Sequence, residues 1–159
     1  MIVDKYGDNF IFLWITMFLG EYNYTMDERK RVAVPAKFRQ SLGKKAVITR
    51  GLDNCLFLYP VREWEKLAKN IAKMPIAGSD ARGFARVMLA GAMEVSLDNL
   101  GRILIPDYLK QYAGLKKKVI IAGLYNRIEI WDEEKWKFYK QRVENEVGNI
   151  AERLKELGI

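Results

Sequence analysis

The sequence predicts an α+β fold in which two tandem copies of one small unit are joined by a helical linker and followed by a long C-terminal helix. Two observations carry this prediction. First, the stretch 17–43 recurs as 88–114, at an offset of 71 residues, and such internal similarity indicates a duplicated structural unit. Second, each copy alternates short β-branched segments with turn residues and ends in apolar residues at helical spacing. One extra residue then raises the offset to 72 and makes Gly123 the counterpart of Gly51.

Residues 1–16 have no counterpart in the other copy, so we expect them to be no part of the fold and translation to start at Met17. The apolar run from Phe10 to Leu19 is about half as long as a membrane-spanning helix. It also lacks the basic leading segment and the small-residue cleavage site of an export signal. No membrane association is therefore predicted.

The two repeated units are predicted over residues 21–63 and 92–135. In each, a hairpin precedes a short helix that begins at a proline, Pro35 in the first unit and Pro106 in the second. Proline suits the first turn of a helix, where its missing N–H would have had no partner. Because about 45 residues cannot bury a sufficient core alone, the two units should pack together.

The helical linker is predicted over residues 64–91. A first helix begins near Val61, carries apolar residues three or four apart, and breaks at Pro75. Ser79 has the residue type that caps the N-terminus of a second helix, which runs toward Gly91.

A C-terminal helix is predicted over residues 136–159, with Asp132 as the cap. A partner helix, either from this chain or from a neighbouring copy, should cover its one narrow apolar stripe. The stripe consists of Trp136, Tyr139, Val143, Val147, Ile150, Leu154 and Leu157.

Composition excludes several classes of site. The chain has no His and one Cys, so neither a Ser-His-Asp nor a Cys-His nucleophile can form, and zinc sites usually need several such ligands. We therefore predict that the protein is not an enzyme and binds no cofactor or metal. The lone Cys55 cannot form an internal disulfide, which favours a reducing cytoplasm.

The net charge is +7, from 27 Lys and Arg against 20 Asp and Glu, and the surplus lies on residues 21–131. A surface of this kind attracts polyanions, and nucleic acid is favoured over membrane. The alternative is a basic protein whose charge only keeps it soluble.

Both hairpins contain the motif Asp-x-x-x-Arg-x-x-x-Pro, with Asp27 and Arg31 in the first unit and Asp98 and Arg102 in the second. The carboxylates can accept hydrogen bonds from amides further round the turn and so fix each loop. The guanidinium groups present planar sets of donors that suit phosphate oxygens or a guanine edge. The alternative is that each Arg simply pairs with its own Asp.

Several further Lys and Arg residues, within the first loop and elsewhere in the chain, are candidates for nucleic-acid contact. Arg29 and Lys30 make the first loop the more basic one, and we expect it to contribute more phosphate contacts. Arg82 and Arg86 either extend the basic surface or bind carboxylates of a neighbouring subunit. The run Lys116–Lys118 is either a solvated turn or a further nucleic-acid contact.

Five segments resemble the MraZ family of bacterial transcriptional regulators: MFLGEYNYTMDERKRVAVPAKFR, TRGLDNCLFLYP, SDARGFARVMLAGAMEV, LDNLGRILIP and NRIEIWD. The resemblance covers residues 17 to about 157. It implies two SpoVT-AbrB domains, each a swapped-hairpin-like β-barrel unit, and assembly of the subunits into a homo-oligomeric ring. It also implies binding to double-stranded promoter DNA, at direct repeats upstream of the division and cell-wall gene cluster, and association with the nucleoid.

The DNA-reading loop of the family corresponds here to the two Asp-x-x-x-Arg motifs. Together with the flanking cations of the first loop, the predicted DNA-binding residues are Asp27, Arg29, Lys30, Arg31, Asp98 and Arg102. The family usually has Gly before the loop Arg, as at Gly101, whereas the first loop has Lys30. Lys would cost roughly 1 kcal/mol at a positive φ. Either the first loop bends differently, or the added charge is tolerated because it meets phosphate.

Two other classes of function remain as alternatives. The basic face could belong to a scaffold or interaction protein that binds acidic protein partners. A phosphate-handling enzyme that uses Asp27 or Asp98 is disfavoured, because no Gly-rich phosphate cradle and no metal-ligand cluster accompanies these carboxylates.

Overall fold

The computed structural model describes residues 17–158, so the predicted extension, residues 1–16, lies outside the described residues. The strands are β1 (Phe18–Thr25), β2 (Arg31–Ala33), β3 (Lys45–Arg50), β4 (Leu56–Pro60), β5 (Met93–Ser96), β6 (Arg102–Leu104), β7 (Lys118–Tyr125) and β8 (Ile128–Asp132). The helices are α1 (Ala36–Leu42), α2 (Val61–Ala72), α3 (Ser79–Ala85), α4 (Asp107–Ala113) and α5 (Glu133–Arg153). A π-helical turn, Arg86–Ala90, follows α3, and a 3-10 turn, Lys155–Leu157, follows α5.

The strands of the two units interleave. In the six-stranded antiparallel sheet the order is β1-β7-β8-β4-β3-β5, so the first strand of each unit pairs with a strand of the other unit. The remaining strands, β2 and β6, pair with each other as a separate ribbon. Exchanging the two units leaves this order unchanged, which indicates a pseudo-twofold axis within the chain. The α+β class is confirmed, and the exchange of strands is the swapped-hairpin arrangement that the resemblance implied.

The predicted correspondence of Gly51 with Gly123 is wrong. Ile48 pairs with Leu58 across β3 and β4, whereas Ile121 pairs with Ile130 across β7 and β8. The offset is therefore 73 residues between β3 and β7 and 72 between β4 and β8. The turn after β3 is longer than the turn after β7, and strand pairing sets the register in place of the shared glycine.

Residues from both units fill one core. Val32 and Ile103 face each other across the β2/β6 ribbon, and each is 1% exposed. Phe18 of β1 packs edge-to-face on Phe38 of α1, with the ring centroids 5.3 Å apart. A second cluster under the outer helices includes the fully buried Cys55. Because the first strand of each unit lies against the other unit, neither unit completes its core alone.

The linker contains the two predicted helices, but the predicted cap of the second is wrong. Ser79 is already the first residue of α3, the cap position is Gly78, and no side chain caps this helix end. After α3 the helix widens into the π-helical turn, where the carbonyl of Met88 accepts a hydrogen bond from Thr49 Oγ1 at 2.7 Å. A π-helical turn frees backbone carbonyls of this kind for other partners.

The predicted cap of the long helix is confirmed, because the Asp132 carboxylate accepts a hydrogen bond from the backbone N–H of Lys135. The predicted bounds, 136–159, differ from those of α5, which begins at Glu133 and ends at Arg153. Trp136 and Tyr139 then pack on Trp131 of β8, with ring centroids 5.3 Å and 5.0 Å away. Further along, Val147 is 58% exposed. The first part of the predicted stripe therefore packs on a strand and not on the predicted partner helix. In the later part, Val147 and Leu157 are exposed, and Val143, Ile150 and Leu154 are half-buried. No helix within residues 17–158 is sufficiently long and apolar to cross a membrane.

Candidate nucleic-acid interface

The first loop, between β1 and β2, is held together by the carboxylate of Asp27. Its Oδ1 accepts hydrogen bonds from the backbone N–H groups of Arg29 and Arg31, both at 2.9 Å. Its Oδ2 accepts a third hydrogen bond from Arg31 Nε at 2.7 Å. Asp27 therefore fixes the turn, as predicted for an Asx-type loop, and also aims the Arg31 side chain.

The second loop, between β5 and β6, repeats this geometry. Asp98 Oδ1 accepts hydrogen bonds from the backbone N–H groups of Leu100 and Arg102, both at 2.9 Å. Asp98 Oδ2 accepts one from Arg102 Nε at 2.8 Å. Two loops of different sequence thus present an Arg side chain in the same way, because the Asp-x-x-x-Arg spacing is common to both.

The two loops also bend in the same way, although only the second has glycine at the bend. Lys30 has φ +61° and Gly101 has φ +72°, both in the left-handed region. At Gly101 the positive φ favours glycine, and a Cβ atom there would also require the Arg39 side chain to move, because its Nε would lie 2.1 Å away. Lys30 adopts a conformation that costs a residue with a side chain about 1 kcal/mol. Of the two alternatives posed by the sequence, a different bend in the first loop is ruled out.

Hydrogen bonding keeps both loop carboxylates ionised. The backbone N–H of Arg31 lowers the pKa of Asp27, and the Arg31 guanidinium adds to this effect, while partial desolvation opposes it. The pKa of Asp98 is lowered in the same way by the backbone N–H and the side chain of Arg102. Each carboxylate is therefore a charged acceptor at neutral pH and holds its Arg in one orientation.

The β2/β6 ribbon brings the two loops together at one edge of the molecule. Ala33 pairs with Arg102, and Arg31 pairs with Leu104, so the two arginines start from neighbouring strands. Arg102 Nη1 lies 3.9 Å from Asp27 Oδ2, across the boundary between the units. The Arg31 and Arg102 side chains remain 29% and 28% exposed. The predicted pairing of each Arg with its own Asp is present, and it leaves both arginines at the surface.

The other cations of the first loop differ in their surroundings. Within residues 17–158, the exposed Arg29 makes no ion pair. Lys30 forms an ion pair with Asp107 at the start of α4, and this contact lowers the pKa of Asp107. All six predicted DNA-binding residues therefore lie at the edge formed by the β2/β6 ribbon. The charge of Lys30 is partly neutralised by Asp107 of the second unit.

Each loop borders an open cleft that contains lysines missed by the sequence motif. The cleft beside the first loop, here named the first cleft, includes Lys110, Lys116 and Lys117. The cleft beside the second loop, the second cleft, includes Arg39 and Lys44. In both cases these cations come from the other unit. The sequence had left Lys116–Lys118 open as either a solvated turn or a nucleic-acid contact, and the interleaved strand pairing places Lys116 and Lys117 beside the first loop.

Arg82, one of the two linker arginines left open by the sequence, has a local role. Its Nη1 donates hydrogen bonds to the carbonyls of Ile76 and Ala77, at 2.8 Å and 2.9 Å. These contacts hold the turn between α2 and α3. Arg86 makes no ion pair within residues 17–158 and lies away from both clefts.

Comparison with known proteins relates this chain to one family. Residues 17–87 and 88–157 each match the family model described as "MraZ protein, putative antitoxin-like". A protein named Transcriptional regulator MraZ from Natranaerobius thermophilus is 50% identical over 143 residues, which are 90% of this chain and all of that relative. Proteins of the same name from Halothermothrix orenii and Syntrophomonas wolfei are 48% and 46% identical, with the same coverage.

Proposed function

The chain belongs to the MraZ family of transcriptional regulators, and we propose that it acts by sequence-specific binding to tandem repeats in promoter DNA. The target is the division and cell-wall gene cluster, and the binding species is a ring of identical subunits associated with the nucleoid. The observation that carries the proposal is the placement of two Asp-x-x-x-Arg loops side by side on one exposed edge.

The geometry of the loops suits DNA recognition. Asp27 and Asp98 each bond the Nε of their Arg, and this contact limits the side-chain entropy that binding would otherwise cost. A guanidinium held in this way can form paired hydrogen bonds with a guanine edge or with phosphate oxygens. Arg29 adds a cation without a carboxylate partner in the described chain.

The uncovered part of α5 supports assembly into a ring. Within α5 the apolar residues Val143, Val147 and Ile150 are spaced four and three residues apart, the pattern of a helix that packs along another helix, and Val147 is exposed. Leu154 and Leu157 extend this spacing past the end of the helix, into the 3-10 turn. We assign this stripe to contact with a neighbouring copy of the chain. In a ring, the second loop-to-repeat contact is intramolecular once the first is made, so weak contacts add up to tight binding.

Arg31→Ala tests the assignment of the loops to DNA. Binding of wild type and variant to a promoter fragment with tandem repeats is measured by fluorescence anisotropy across a salt series. We expect weaker binding and a plot of log affinity against log salt that is flatter by about 1 per lost phosphate contact per bound subunit. Unchanged affinity and slope would remove Arg31 from the interface. Binding of an acidic protein that promoter DNA does not compete away would favour a scaffold function instead.

A further inference from the structure

We propose that a lysine turn from the opposite unit completes each DNA-binding loop and that these lysines contact the phosphate backbone. The first lysine turn is Lys116–Lys118, beside the first loop, and the second is Lys44–Lys45, beside the second loop. This inference rests on the proposed function and adds a phosphate-binding surface that the loop motif does not contain.

Backbone hydrogen bonds fix each lysine turn next to its loop. The N–H of Met26, the residue before Asp27, donates to the carbonyl of Lys117 at 2.7 Å. At the equivalent place, the N–H of Leu97, the residue before Asp98, donates to the carbonyl of Lys44 at 2.9 Å. The same contact in both halves shows that the lysines are placed by the fold and do not lie there by chance.

The first cleft has a surplus of positive charge. Its cations are Lys30, Lys110, Lys116 and Lys117, and its only acidic residues among those described are Asp27 and Glu28. Asp27 is already bonded to Arg31. Lys116 and Lys117 are exposed and make no side-chain ion pair within residues 17–158. Among the described residues, their ammonium groups are therefore in no direct ion pair, in a cleft with four cations against two carboxylates.

Contacts at both ends of the first lysine turn also fix its backbone. Asp132 Oδ1 accepts a hydrogen bond from the backbone N–H of Lys116 at 3.2 Å, and Lys118 pairs with Thr25 in the β1/β7 ladder. With the backbone held at both ends, the two lysine side chains project from a fixed position into the first cleft. Binding then requires ordering of the side chains only.

The chemistry of lysine points to phosphate and away from base recognition. An ammonium group is a compact point charge without the planar donor pair that distinguishes one base edge from another. Contacts of this kind position a protein on DNA and add affinity that is independent of sequence. The lysine turns should therefore contribute to affinity and to its salt dependence, whereas the loop arginines should also contribute to the preference for one DNA sequence over another.

The two lysine turns are unequal. In the second turn Lys45 is paired with Glu94, with its Nζ 3.3 Å from Glu94 Oε1. The cation that shares the second cleft with Lys44 is Arg39, and its Nε already donates to the carbonyl of Val34 at 2.9 Å. Within residues 17–158, the first cleft thus contains two lysines of the first turn without an ion pair, Lys116 and Lys117, and the second cleft contains one of the second turn, Lys44. We therefore expect the first turn to contribute more.

The test compares charge-removing variants by salt-dependent binding to a tandem-repeat fragment and to a scrambled fragment. For Lys116→Gln/Lys117→Gln we expect weaker binding to both fragments, an unchanged ratio between them, and a salt slope reduced by about 2 per bound subunit. Lys44→Gln/Lys45→Gln should reduce the slope less. Lys116→Arg/Lys117→Arg should retain the wild-type slope, because the charge is kept. Lys69→Gln/Lys73→Gln, which removes the same charge from the linker outside both clefts, is the matched control and should bind like wild type.

Three results would overturn the inference. Lys116→Gln/Lys117→Gln could bind with wild-type affinity and slope while Arg31→Ala binds weakly, and the proposed function would then stand without the lysine turns. An altered ratio between the two fragments would assign the lysines to base contact. If Lys69→Gln/Lys73→Gln weakened binding equally, the loss would be due to the lower net charge of the protein and not to the position of the lysines. The proposed function itself fails only if Arg31→Ala/Arg102→Ala also binds the tandem-repeat fragment like wild type.

Discussion

A single carboxylate in each loop sets both the shape of the turn and the orientation of the arginine. The role of Asp27 and Asp98 in fixing the loops could be predicted from the sequence, because an Asp at the start of a tight turn accepts from the amides that follow it. The conformation of Lys30 could not be predicted, since its penalty at positive φ and the benefit of its charge act in opposite directions. The ion pair of Lys30 with Asp107 joins residues 77 positions apart and depends on the tertiary fold.

Lys30→Gly should stabilise the fold. Glycine adopts φ +61° without the steric penalty of a side chain, so we expect the free energy of unfolding to rise by up to about 1 kcal/mol. Loss of the ion pair with Asp107 offsets little of this gain, because that pair is exposed. Urea denaturation measures the change. Gly101→Ala is the opposite control and should destabilise, since alanine is strained at φ +72°. A decrease for Lys30→Gly would mean that the ion pair outweighs the backbone penalty.

Acid should weaken the loops through Asp27 and Asp98. Both have a pKa lowered from the ordinary 3.8, so their stabilising contribution is complete above that value and is lost as the pH falls through the lower folded-state pKa. The free energy of unfolding, measured between pH 6 and pH 2, should therefore decline in acid. Asp27→Asn/Asp98→Asn should be less stable than wild type at neutral pH and decline less steeply in acid. An equal acid decline in the variant would show that other carboxylates cause it.

At the scale of whole elements, local chemistry predicts where some helices begin but does not predict strand register. The cap of α5 by Asp132 is confirmed, whereas Ser79 lies inside α3, because a capping residue type cannot show which of two adjacent residues starts the helix. The predicted correspondence of Gly51 in the first unit with Gly123 in the second was wrong, because the turn after β3 and the turn after β7 differ in length. The apolar stripe of the C-terminal helix was predicted as one surface, but in the structure its first part packs on Trp131 of β8 whereas Val147 is exposed.

Charges in the uncovered stripe of α5 should disrupt the proposed ring. Val143→Glu/Val147→Glu places two carboxylates where we assign contact with a neighbouring copy, and Val147 is 58% exposed in the single chain. We expect smaller assemblies in light scattering coupled to size exclusion, with unchanged far-UV circular dichroism. Binding to a two-repeat fragment should weaken far more than binding to one repeat. Glu144→Gln/Glu146→Gln, on the same turns, is the control that should leave assembly intact. A variant that assembles like wild type would place the ring contact elsewhere.

Across the whole molecule, the repeat predicts two similar units, and the five segments quoted above indicate the family; the comparisons confirm both. The exchange of strands came from the resemblance, since periodicity cannot show which unit a strand joins. That exchange places Lys117 beside the first loop and Lys44 beside the second, and it explains why these cations could not be assigned from the motif alone. The cations beside each loop are therefore brought together only when the two units of one chain fold together.

Removing both loop arginines tests the central claim most directly. Arg31→Ala/Arg102→Ala and the linker control Lys69→Ala/Lys73→Ala are compared for affinity to a tandem-repeat fragment relative to a scrambled one of equal length. Each lost base contact should cost about 1–3 kcal/mol of discrimination, so the double arginine variant should lose most of its preference for the repeats while the control keeps it. A double arginine variant that folds and still prefers the repeats as strongly as wild type would contradict the account.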